Sequence, residues 1–215
     1  MRAIDQIRQK IEAEVFDYTQ LMHELREYKK PRDVISSLLK TGNIIRIRKG
    51  LYLFGKSWQR KPVIPKALAN LVYGPSVISL DYALAYYGLI PERVDTITSI
   101  TTSRTRMYDT PVGRFSYEHL SEKRFAFGAT IQHSDYGNWL IAEPLKSLAD
   151  KVWTDKRLRP TSLSSFQEYI FNDLRIDEDV LRGHLAMNKI NDLEKIYSSR
   201  KVTWLAEFLK RKFFE

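Results

Sequence analysis

The sequence contains no cysteine. Disulfides and thiolate metal sites are therefore excluded, and a reducing, cytoplasmic setting fits. Glycine is sparse, with nine residues spread singly, so no glycine-rich phosphate loop is expected. The four histidines, His23, His119, His133 and His184, are scattered, and no two share metal-ligand spacing on one helix. Apolar runs are short and broken by charge, so no segment reads as a membrane span. The opening "MRAIDQIRQKIEAE" is charged throughout and lacks the apolar stretch of a secretory signal. With 43% hydrophobic and 12% aromatic residues in 215, the chain is expected to be globular, as one large domain or two modest ones.

Positive charge is present in excess and is unevenly placed. The net charge is +9, yet residues 1–61 alone hold 14 Lys/Arg against 7 Asp/Glu, a net of +7. A basic module joined to a near-neutral body is the pattern of a DNA-binding protein.

Within that basic module the periodicity predicts three helices and a hairpin. Ile4, Ile7, Ile11 and Val15 fall at helical spacing, which predicts a helix over 3–14. Asp17 and Gln20 form an Asp-x-x-Gln capping box for a second helix over "TQLMHELREY". Pro31 suits the first turn of a third helix, which buries Val34, Ile35, Leu38 and Leu39 and stops at Gly42. "NIIRIRKGLYLFGK" (43–56) then alternates on either side of Lys49-Gly50 and reads as strand–turn–strand. This order is that of a winged helix-turn-helix, whose third helix enters the major groove. The exposed face of that helix would carry Arg32, Asp33, Ser36, Ser37 and Lys40, preceded by Lys29 and Lys30. The wing would add Arg46, Arg48 and Lys49 as phosphate contacts.

"GKSWQRKPVIP" (55–65) breaks the periodicity and marks a linker. The expected division is a winged-helix domain over 1–60, an α+β domain over 61–158 and a helical extension over 159–215 packed on the middle domain. In the middle, Ser79 reads as the N-cap of a helix ending before Gly88. "VDTITSITTS" reads as a strand. "FAFGATIQHSDYGNWLIAE" reads as two strands around a turn at 135–137, and "EPLKSLADKVW" as a helix facing the core through Leu145, Leu148, Ala149 and Val152. The fold class expected is therefore α+β, with a small, mostly antiparallel sheet flanked by helices and a helical C-terminus.

The segments "RKGLYLFG", "ISLDYALAYYGLIPE", "TTSRTRMYDTPVGRFSYEHL" and "IAEPLKSLADKVW" together resemble the AbiEi-type antitoxins of type IV toxin–antitoxin and abortive-infection systems. The resemblance covers residues 15–155. Its most specific part is Ile78–Glu92, with Ser79, Ala83, Leu84, Gly88, Leu89 and Ile90 in register. It implies a transcriptional regulator that binds inverted repeats in promoter DNA and represses its own operon, with two copies on the DNA. It also implies a toxin of nucleotidyltransferase fold as functional partner, with a stable complex not assumed. It carries over no catalytic residue, metal, cofactor or membrane partner.

The residues themselves offer little chemistry. "HSD" (133–135) sets three triad residue types side by side, whereas a triad needs them convergent in space. Glu143 and Lys146 of "EPLK" read as an ordinary surface pair three apart on a helix. Arg104 and Arg106 of "SRTR" sit in a loop as candidate contacts to nucleic acid or to a partner. The alternative reading is an enzyme body, most simply a metal-dependent nuclease, delivered to DNA by the winged helix. It would need a cluster of Asp/Glu and Lys at nuclease spacing, and the sequence offers none.

Overall fold

The computed structural model describes residues 2–160 and 162–215. The chain divides into two compact units, one of residues to Pro65 together with 109–113, the other of 66–108 and 114–215.

The first unit runs α1 (Ala3–Lys10), β1 (Val15–Asp17), α2 (Tyr18–Glu24), α3 (Pro31–Lys40), β2 (Ile44–Arg48) and β3 (Leu51–Phe54). The strands form one sheet in the order β1-β3-β2, antiparallel throughout. Ile4, Ile7, Leu21, Leu25, Ile35 and Leu38 pack on Phe16, Ile44, Tyr52 and Phe54. α1 is shorter than its apolar spacing predicts. Buried Arg8 explains the stop: its guanidinium donates to the carbonyls of Ile11 and Ala13, both at 3.2 Å, and pairs with Glu14 at 2.8 Å. It thus satisfies carbonyls that a longer helix would have used itself. Ile11, expected on the helix, lies beyond its end, and Val15, whose spacing continued the helical period, lies in β1 opposite Leu53.

α2 begins as the capping box predicts, with Gln20 N–H on Asp17 Oδ1 at 2.8 Å and Asp17 N–H on Gln20 Oε1 at 2.9 Å. It ends at Glu24, four residues before the predicted end. α3 starts at Pro31 and buries Ile35 and Leu38, with Val34 and Leu39 half-buried. The hairpin turns at Lys49-Gly50, where Gly50 has φ +87°, a conformation that glycine adopts without steric cost. At its base Gly55 is obligatory for a different reason: a Cβ there would stand 1.9 Å from the carbonyl oxygen of Gly42.

The second unit opens with α4 (Pro65–Val72). It continues through β4 (Ser76–Ile78), α5 (Leu80–Tyr86), β5 (Ile97–Thr101), β6 (Arg106–Thr110), β7 (Gly113–His119), α6 (Glu122–Phe125), β8 (Ala129–Gln132), β9 (Trp139–Ala142) and α7 (Pro144–Thr154), with residues 109–113, where β6 ends and β7 begins, counting with the first unit. The six strands lie in the order β6-β7-β5-β4-β9-β8. The sheet is larger and more mixed than expected. β4 pairs antiparallel with β5, but β4 with β9 and β5 with β7 are parallel. Central β4, "SVI", is buried at every residue, as a strand covered on both faces must be.

The helical C-terminus comprises α8 (Leu163–Glu168), a π-helical turn at Tyr169–Asp173, α9 (Glu178–Arg182), α10 (Met187–Tyr197) and α11 (Arg200–Phe214). It is no separate body. Phe166, Ile170, Leu193, Leu205 and Leu209 share one core with Leu84 of α5 and with Leu148 and Val152 of α7. Among the described residues no helix is long and apolar enough to cross a membrane.

Candidate functional site

α3 has two faces, and sequence periodicity assigns them. Ile35 and Leu38 are buried, which turns Arg32, Ser36 and Lys40 outward at i, i+4, i+8 spacing, with Ser37 beside them. Lys29 and Lys30 are exposed just before the helix. Among the described residues the side chains of Lys29, Lys30, Arg32, Lys40 and Lys49 have no ion-pair or hydrogen-bond partner. Ser36 is partly committed, since its hydroxyl donates to the Arg32 carbonyl at 3.0 Å.

The hairpin cations differ from one another. Arg46 is exposed and its guanidinium lies 6.0 Å from the centre of the Tyr52 ring. Lys49 is exposed at the tip. Arg48 is half-buried, and its Nη1 donates to the Lys49 carbonyl at 3.1 Å. The register shifts between Arg46 and Arg48 through a bulge at Ile47, which sends Ile47 to the buried side. The strict alternation read from the sequence therefore breaks one residue before Arg48. Arg46 and Lys49 are the freer phosphate-contact candidates, and Arg48 has a structural duty as well.

In the second unit, Arg104 lies in the loop after β5 and Arg106 opens β6, an edge strand. Both are exposed. The loop is anchored around them: His119 N–H donates to Thr105 Oγ1 at 3.2 Å, and His119 Nδ1 lies 3.0 Å from the Ser103 carbonyl. His133, Ser134 and Asp135 form an exposed turn, with Ser134 Oγ on the Gly137 carbonyl at 2.8 Å and His133 Nδ1 facing Asn138 Oδ1 at 3.2 Å. Ser134 and Asp135 thus make no triad with His133. Among the described residues no three His, Asp or Glu side chains converge as a metal ion would require.

The sequence reading of Glu143 and Lys146 as a surface pair is overturned. Lys146 is only 1% exposed, and Glu143 pairs instead with Lys189 at 2.7 Å. Lys146 Nζ donates to Asp150 Oδ1 at 2.5 Å and to Tyr197 Oη at 2.7 Å. Tyr197 Oη donates to the same Asp150 oxygen, and Ser79 Oγ donates to Asp150 Oδ2 at 2.6 Å. All four residues are buried. Burial pushes the Lys146 ammonium down in pKa, opposed by the adjacent Asp150 carboxylate. Burial and the same carboxylate push the Tyr197 hydroxyl well up.

Arg124 extends the group by donating to the Tyr197 carbonyl at 3.0 Å while lying 3.8 Å over the Trp153 ring. A buried carboxylate with three donors is charge-balanced and satisfied, as low-dielectric burial demands. The cluster ties the β4–α5 junction, α7 and the end of α10 together. Only the Lys146–Asp150 pair at i, i+4 is local; the Ser79 and Tyr197 contacts reach across 71 and 51 residues of sequence and leave no local pattern.

The sequence matches no protein-family model. It matches no curated protein. The fold is similar to that in the crystal structure of RV2827C protein from Mycobacterium tuberculosis, with a TM-score of 0.59 and 13% identity over 96% of this chain and 75% of that chain. The likeness at this identity is one of fold.

Proposed function

We propose that the first unit is a winged helix-turn-helix that binds double-stranded promoter DNA, and that the protein is a cytoplasmic repressor and antitoxin of the AbiEi type. The observation that carries the DNA-binding reading is the set of partner-free cations on one helix face and one hairpin tip. Lys29, Lys30, Arg32 and Lys40 surround α3, and Lys49 ends the hairpin. In this reading α3 lies in the major groove with Arg32 at a base edge, Ser36 and Ser37 along the helix, and Arg46 and Lys49 on the phosphate backbone. The antitoxin half of the proposal rests on the sequence resemblance over 15–155. It includes autorepression from inverted repeats, two copies on the DNA and a nucleotidyltransferase-type toxin as functional partner.

The test has two arms. In the first, a reporter fused to the DNA upstream of the gene is repressed by the protein and derepressed by Arg32→Ala. In the second, co-expression with the adjacent toxin gene restores growth, and Arg32→Ala retains that rescue. Reporter expression unchanged by the protein would refute the repressor half. Failure of rescue would refute the antitoxin half. DNA cleavage that requires a divalent cation would favour the nuclease alternative over both.

A further inference from the structure

We infer that a cleft in the second unit binds a nucleoside phosphate, independently of the DNA-binding face. The cleft has a volume of about 800 Å³, within the range of about 300–1,000 Å³ usual for small-molecule sites. A hollow of about 430 Å³ shares Asp81, Lys151, Asp155 and Arg157 with it.

The charges of its floor are already consumed. Lys151 pairs with Asp81 at 2.7 Å. Asp155 accepts the Tyr169 hydroxyl at 3.2 Å and the Arg157 backbone N–H at 2.9 Å. Burial works to raise the Asp155 carboxyl, but these bonds and nearby cations outweigh it and hold the group below its ordinary range.

The rim is different. Arg157 has a side chain 93% exposed, whose Nε makes only a long ion pair with Asp155 Oδ1 at 3.7 Å. Lys156 and Arg159 have no partner among the described residues. Arg159 also lines an adjoining hollow with Arg200 and Lys201. The rim therefore offers one guanidinium without a partner, Arg159, and one held only by a long, exposed ion pair, Arg157, and their planar forks suit phosphate oxygens. Ile90, Val94 and Leu174 give the cleft an apolar wall, and exposed Asp173 supplies a carboxylate without a partner among the described residues. A ligand matching all three has a phosphate, a flat body with an apolar face, and hydroxyl or amino donors, which is the chemistry of a nucleotide.

The backbone points to the same place. The wall residues Tyr169 and Asp173 lie in the π-helical turn, a rare conformation found often at functional sites. Arg175 at φ +54° follows it, and Leu80 at φ +60° precedes Asp81. Such conformations in non-glycine residues persist where the surroundings enforce them, and they cluster at ligand sites.

The test is calorimetric titration of the full chain with ATP, AMP, adenosine and inorganic phosphate, and with one oligonucleotide carrying either a 5′-phosphate or a 5′-hydroxyl. ATP or AMP is expected to bind at least about tenfold more tightly than adenosine or phosphate alone. The variant Arg157→Ala/Arg159→Ala is expected to lose about tenfold or more, with Lys49→Ala unchanged. Asp173→Asn, an exposed and mild substitution, should weaken nucleotide but not phosphate binding.

Preference for the free nucleotide identifies a small-molecule ligand. Preference for the 5′-phosphorylated oligonucleotide identifies a nucleic-acid end. Absence of nucleotide binding up to about 5 mM, phosphate binding as tight as ATP, or equal loss in Lys49→Ala would overturn the inference. None of these outcomes touches the promoter-binding proposal.

Discussion

The two units treat their cations in opposite ways. In the second unit most are spent on partners within the fold: Lys146 on Asp150, Lys151 on Asp81, Lys189 on Glu143, Lys210 on Glu194, Arg175 on Glu92. In the first unit Arg8 is spent on Glu14 and Lys10 on Glu24, but the cations of α3 and the hairpin tip are left facing solvent. A cation with a partner contributes to its own fold, whereas a row of cations without partners attracts an external anion. The same rule draws notice to Lys156 and Arg159 at the cleft rim, which like exposed Arg104 and Arg106 have no partner among the described residues.

The largest test of this contrast is Asp150→Ala. It leaves Lys146 buried without its counter-charge and should destabilise the protein by about 3–5 kcal/mol, read from urea unfolding. Lys210→Ala breaks only a partly exposed pair with Glu194 and should cost less than about 1 kcal/mol. Equal costs would erase the distinction between the buried cluster and the surface pairs.

Next in size is Arg32→Ala, expected to weaken operator binding by about 1–3 kcal/mol and to relax sequence preference. Its unfolding free energy should stay within about 0.5 kcal/mol of the parent's. A large loss of stability would instead assign Arg32 to the fold. Lys49→Ala should weaken binding on all duplexes alike and lower the salt slope by about 1. Loss confined to the operator would show Lys49 reading bases.

The smallest effect expected is one of pH. Burial pushes the Tyr87 hydroxyl up to about 12, helped by Tyr86 and Glu143. The folded state therefore holds a proton that the unfolded state releases near its ordinary value of about 10. The resulting stabilisation is complete below pH 10 and is lost as pH rises through about 12. Unfolding free energies measured across this window should fall less steeply in Tyr87→Phe than in the parent. An unchanged slope would contradict the burial argument.

Local features of the sequence carried far. The Asp17–Gln20 box, Pro31, the spacing of Ile35 and Leu38 and the Lys49-Gly50 turn are all local signals, and each element they predict is present. What the sequence concealed was non-local. β1 has only three residues, too few for a period, and is defined by its partner β3. The parallel pairings join strands distant in the chain.

The burial of Lys146 is non-local in the same way. A lysine three residues from a glutamate on a helix is ordinarily a surface group. Its burial depends on Tyr197 and Ser79, contributed by a helix and a strand end far along the chain. The one local signal is Asp150 at i+4, beside the competing Glu143 at i−3.

The central claim is tested most directly by a gel-shift titration of the protein on the DNA upstream of its gene, against a scrambled duplex, at two salt concentrations. The account predicts preferential binding to the upstream duplex that weakens steeply with salt, as release of counterions from several phosphate contacts requires. Equal binding to both duplexes, or none to either, would contradict it.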